Sequence, residues 1–137
     1  MLDSRTQLPD RDHFYTDVTA LLDAQGADEK SLVLLNIEID KLEFILRTFG
    51  PEERDDVIRE VGHRIRSVWK QRITPYHITQ ARFALILADT NYQQAVRQSQ
   101  SVIDALHQPF TVSGVSFHIN AHIGISNYPN HAKSISE

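Results

Sequence analysis

Glu38 and Asp40 close an almost uninterrupted aliphatic run, Leu32 to Ile39. Two carboxylates at that spacing could supply oxygen ligands to a hard divalent cation such as Mg²⁺. They could equally cap the helix that follows, or pair with a cation on a neighbouring strand. Arg82 is such a cation. It opens a second apolar run, Phe83 to Leu87, expected as a strand beside the first. The balance favours an ion pair, because a guanidinium would already stand where metal charge would be needed. No metal site and no catalytic residue are expected.

Other candidates weigh less. Asp55, read as lying in the first turn of a long helix, could contact a ligand, but the helix dipole accounts for an acid there. His118 and His122 invite a zinc reading. Four residues of strand rise would hold them about 13 Å apart, too far for one ion. Thr79 and Gln80 read as a polar hairpin tip. With no cysteine there is no thiol nucleophile and no disulfide framework. Ser, His and Asp residues show no triad signature.

Stepping outward, Leu8-Pro9-Asp10-Arg11 reads as a turn with Asp10 or Asp12 as helix cap. Phe14, Val18, Leu21 and Leu22 recur at helical spacing, predicting a helix to about Ala24, broken by Gln25 to Asp28. Leu32–Ile39 reads as a strand covered on both faces. A short helix from Lys41 to Arg47 is closed by Gly50 and Pro51. Val57, Ile58, Val61, Ile65 and Val68 form the stripe of a helix running from Glu52 to about Trp69. Trp69 reads as core at that helix's end. A Pro75–Leu87 hairpin follows, then a helix starting at Asp89-Thr90-Asn91 with apolar positions Val96, Val102, Ile103 and Leu106. Pro109–Val112 and Val115–Ile119 flank a Ser113-Gly114 turn. Phe117, Ile119, Ala121, Ile123 and Ile125 are expected on one face of a last strand. Strands separated by amphipathic helices imply an α/β fold with a central mixed sheet of about five strands flanked by helices.

The bulk numbers narrow the class. With 137 residues the chain is one domain, able to bury a real core. A formal net charge of −4 argues against nucleic acid as partner. No apolar run approaches a membrane span and no signal-peptide core opens the chain, so a cytoplasmic setting without direct membrane contact is expected.

Several segments in order resemble the GGDEF (diguanylate cyclase) domain. Arg5-Thr6-Gln7-Leu8-Pro9-Asp10-Arg11 is similar to its LTGLPNR motif. Ile37-Glu38-Ile39-Asp40-Lys41-Leu42 is similar to IDIDRF. Thr48-Phe49-Gly50, with Asp55, matches TFGxxxxD, and Arg59-Glu60-Val61 matches REV. His122-Ile123-Gly124-Ile125-Ser126-Asn127-Tyr128-Pro129 resembles the SIGIAxYP ending of GGDEF domains joined to EAL phosphodiesterase domains. The signature hairpin departs from the family. Thr79-Gln80-Ala81-Arg82-Phe83 stands where Gly-Gly-Asp/Glu-Glu-Phe would, and only the Phe survives.

The resemblance carries residue roles over position by position. Metal ligands would fall at Glu38 and Ala81, and the next acid at Arg82, reversing the charge. Thr79 and Gln80 replace glycines that let backbone approach phosphate. Guanine would be read at Leu46 and Asp55, and Leu46 has no hydrogen-bonding group. The inhibitory RxxD motif would run from Lys70 to Ile73; Lys70 lacks the bidentate fork and Ile73 the acid. Glu38, Asp40 and Asp55 are thus vestigial nucleotide-binding positions. The resemblance implies a single degenerate GGDEF domain over 1–137, lacking the family's C-terminal helix. It is expected to be catalytically inactive and to regulate or support cyclic di-GMP signalling. Expected partners are an EAL or sensory domain of the same polypeptide, or a signalling protein. A homodimer stays open, and no cofactor is expected. GTP with Mg²⁺ enters only in the alternative reading, an allosteric GTP binder. An active cyclase is the remaining, less favoured reading.

Overall fold

In the computed structural model, which describes residues 6–25, 32–88 and 90–128, the long aliphatic run becomes the strand around which the domain is built. This strand, β1 (Leu32–Asp40), lies between β3 (Arg82–Ala88) and β6 (Asn120–Tyr128), and β2 (Tyr76–Thr79) completes the order β2-β3-β1-β6. The α/β class holds, but the sheet differs from the mixed, five-stranded one expected. Its four strands pair antiparallel throughout. The parallel component among the described residues is an isolated bridge, Asp10 to His77, where the amino-terminal segment runs beside β2. A two-stranded hairpin, β4 (Phe110–Val112) and β5 (Val115–Phe117), forms a separate small sheet.

β1 is covered on both faces only in its first half. Leu35, Ile37 and Ile39 are buried, whereas Asn36, Glu38 and Asp40 are exposed. The reason is the helix layer. On one face α3 (Pro51–Val68) and α4 (Tyr92–His107) enclose the main core, with Val57, Val61, Ile65, Val102 and Leu106 packed with Leu35, Ile37, Phe83 and Leu85. On the other face α1 (Arg11–Gln25) lays Phe14 and Val18 against Leu32 and Ala84. That smaller core leaves the acidic end of β1 open.

Local chemistry sets the helix ends. Asp10 is the cap of α1, its Oδ1 accepting from the His13 amide at 3.0 Å. Asn91 and Gln94 form a reciprocal capping box at the start of α4. Asp89 lies outside the described residues, as do residues 26–28 and Arg5 and Pro129 of the motifs above. The α4 stripe is displaced from the expected one. Ala95, Ser99, Val102 and Leu106 are buried, while Val96 is 44% exposed. The i, i+4, i+7, i+11 series starting at Ala95 is the one that meets the sheet. Ser113 and Gly114 both take positive φ, 51° and 79°, as a tight hairpin turn requires.

The expected last strand is interrupted. β5 ends at Phe117 and β6 begins at Asn120, so the chain changes sheets at His118-Ile119. Ile119 stays buried at 2%, which explains why the alternation survives the break. Tyr76 ties β2 to α1, donating to Asp17 Oδ2 at 2.5 Å. Burial, then this carboxylate, pushes the Tyr76 phenol well above its ordinary value.

Candidate functional site

The β2–β3 turn carries the signature positions, and strand pairing fixes where each side chain goes. Thr79 pairs with Arg82, leaving Gln80 and Ala81 at the tip after an irregularity between His77 and Thr79. Thr79 and Gln80 are exposed, as a polar tip should be. Ala81 folds inward against the main core and its carbonyl accepts from the Ile39 amide at 2.8 Å. Phe83 is wholly buried and stacks on His77, ring centroids 5.0 Å apart. Alternation then sends Arg82 to the opposite face of the sheet.

There Arg82 is the register partner of Glu38. Its Nε donates to Glu38 Oε2 at 3.3 Å, with the two side chains 52% and 54% exposed. His122 is the register partner of Glu38 on the other side, so Arg82, Glu38 and His122 form a row across three strands. Sequence reasoning missed His122 as a neighbour of Glu38 because it paired His122 with His118. The change of sheets at His118-Ile119 separates those two; the His118 ring lies against His107 instead.

The other role considered for the acid pair, capping of the following helix, is not what the structure shows. α2 (Leu42–Leu46) starts from Lys41 in the left-handed conformation, φ 64°, with no side-chain cap. The same turn opens a concavity of about 460 Å³ lined by Glu38, Asp40, Lys41, Glu43, Phe44 and Ala81. Phe44 stands 68% exposed at its edge. Residue type does not distinguish Phe44 from the buried Leu42 and Leu46 of α2; only the helix phase does.

A second cavity, about 150 Å³, lies at the amino-terminal end of α3. Leu46, Asp55, Gln80, Thr6 and His77 line it. Leu46 is 1% exposed and belongs to the main core. Asp55 is half-buried, lines this cavity and sits two residues past Glu53, the second of the first-turn acids. Thr6, 2% exposed, holds a hydroxyl with no hydrogen-bond partner among the described residues. Lys70 and Ile73 lie beyond the far end of α3, whose last residue, Val68, is about 20 Å along the helix from Asp55. Lys70 is exposed at φ 54°, and Ile73 packs against the main core. Among the described residues no three His, Asp or Glu side chains converge as a metal centre would need. None of the described helices is long and apolar enough to cross a membrane.

Comparison with known proteins agrees over the chain's length. The family model "Diguanylate cyclase, GGDEF domain" matches residues 1–137. The cyclic di-GMP phosphodiesterase NbdA of Pseudomonas aeruginosa is 24% identical over 135 residues, covering 98% of this chain and 17% of that protein. The bifunctional diguanylate cyclase/cyclic di-GMP phosphodiesterase MucR of the same organism is 22% identical and is matched over 20% of its length. The chain therefore spans a fifth or less of these curated relatives. Among solved structures, the GGDEF domain of YfiN (TpbB) from P. aeruginosa superposes with a TM-score of 0.85 at 26% identity, covering 98% of this chain and 79% of that one. The FimX GGDEF domain from the same species gives 0.83 at 18% identity, covering 92% and 78%. Sequence order, strand pairing and these matches lead to one assignment: the chain belongs to the GGDEF domain family.

Proposed function

We propose that this domain is catalytically silent and acts as a regulatory or interaction module within a cyclic di-GMP signalling protein, attached to an EAL phosphodiesterase or sensory domain in the cytoplasm. The observation that carries this reading is the Glu38–Arg82 pair. Joining two GTP molecules requires divalent metal to neutralise triphosphate charge while a 3′-hydroxyl attacks in line. Here the carboxylate that would hold the metal is engaged by a guanidinium, and Ala81 offers no side-chain oxygen. The Ala81 carbonyl is spent on Ile39. These residues do not fit a Mg²⁺-nucleotide centre. That NbdA and MucR carry phosphodiesterase names supports an EAL neighbour. The test is incubation of the purified domain with GTP and Mg²⁺ or Mn²⁺, followed by chromatography. No cyclic di-GMP above a denatured control is expected, and any turnover would overturn the reading.

One observation favours the second reading, an allosteric GTP binder. The small cavity keeps Asp55 and the Thr6 hydroxyl, which has no partner among the described residues, beside Gln80. Leu46 weakens it, since guanine groups left unpaired there cost about 1–3 kcal/mol each. Calorimetric titration of GTP with and without Mg²⁺ separates the two. Silence supports the interaction module, and saturable heat supports the allosteric binder.

A further inference from the structure

His107 ends α4 and His118 follows β5, and the fold sets their rings 5.9 Å apart at an angle of 44°. Neither position is loose. Phe110 and Phe117 are register partners at the open end of the β4–β5 ladder, stacked at 5.5 Å and 10°. They pin together the chain entering and leaving the hairpin. Arg64 of α3 holds the approach: it donates to the carbonyls of Ala105, Gln108 and Pro109 at 3.2, 2.6 and 2.7 Å. Its guanidinium also lies 3.7 Å from the centroid of the Phe110 ring and pairs with Glu60. That ion pair offsets its charge locally. Both imidazoles are exposed.

Imidazole nitrogen sits about 2.0–2.1 Å from a zinc-like ion, which places two rings on one ion with centroids roughly 5–6 Å apart. The observed spacing falls in that range, and exposed rings reorient within nanoseconds. Asp104, exposed one turn before His107, adds negative charge on the same side of the helix. We propose that His107 and His118 chelate one divalent late transition ion, Zn²⁺, Ni²⁺ or Cu²⁺, with water completing its coordination. Two nitrogen ligands make a weak, exchangeable site and discriminate against Mg²⁺, which prefers oxygen. Because the ligands come from α4 and the hairpin exit, bound metal clips these elements together and stabilises the fold.

The experiment is calorimetry and thermal melting of the tag-free chain with ZnCl₂ or NiSO₄. One site binding at or below about 1 mM is expected, with a melting temperature raised by Zn²⁺ and not by Mg²⁺. His107→Ala and His118→Ala should each weaken binding at least about tenfold and abolish the melting shift, while His63→Ala keeps both. Absence of binding to the unaltered chain, or equal binding by the His107 and His118 variants, overturns the proposal.

Discussion

Glu38 and Arg82 face each other across β1 and β3, register partners joined by a 3.3 Å ion pair on the open face of the sheet. Both side chains are about half exposed, so water and salt screen the attraction. Arg82→Ala should therefore cost no more than about 1 kcal/mol in chemical unfolding. A larger loss would mean that Arg82 supports the hairpin in some way beyond this contact.

The pair's consequence is chemical. Restoring acids with Ala81→Asp and Arg82→Glu supplies carboxylates at the tip but leaves Leu46, without a hydrogen-bonding group, where the resemblance expects the base to be read, and Thr79-Gln80 at the tip. The double variant should still convert no GTP in the presence of Mg²⁺. Chromatographic detection of cyclic di-GMP from it would show that the hairpin charge alone had silenced the domain.

Much of this was readable in the residues, for identifiable reasons. The helix stripes and the hairpin follow from periodicity and turn chemistry, which act locally, and the opposition of Arg82 to Glu38 from the expectation that their two strands lie side by side. The errors came where tertiary packing decides. Val96 and Ala95 both fit an amphipathic helix, and only the position of the sheet shows that Ala95 points inward. The alternation from Phe117 to Ile125 reads as one strand because Ile119 remains buried while the chain changes sheets. Thr6 and Leu46 come to one cavity by contacts far apart in sequence, which no local pattern announces.

Tyr76 gives a pH prediction. Burial and the Asp17 carboxylate hold its folded-state value above the unfolded value of about 10. The folded form thus keeps the proton after the unfolded form has lost it. This stabilisation is complete below about pH 10 and falls as pH rises above that point. Tyrosinate absorbance should show one late-titrating phenol, absent in Tyr76→Phe. The variant should also lose stability less steeply above about pH 10. A Tyr76 that titrates with the other tyrosines would contradict the buried hydrogen bond.

Leu8 and Gly62 supply the sharpest test of how the amino-terminal segment is held. Leu8 is 3% exposed, and a β-carbon at position 62 would meet its methyl groups at 3.0 and 3.1 Å. Two effects therefore oppose each other in Gly62→Ala. Alanine in mid-helix gains about 1 kcal/mol over glycine, whereas crowding a buried leucine costs roughly 1–3 kcal/mol. The substitution alone should be neutral to destabilising. Leu8→Ala alone should cost about 2–5 kcal/mol by emptying a core position. With Leu8 cut back the obstruction is gone, so Gly62→Ala should then stabilise by about 1 kcal/mol. Unfolding of the four proteins in denaturant gives the coupling directly, expected to be about 1–3 kcal/mol. Additive effects would mean that Leu8 does not rest on Gly62, and that the segment preceding α1 is anchored chiefly through its backbone contacts to His77.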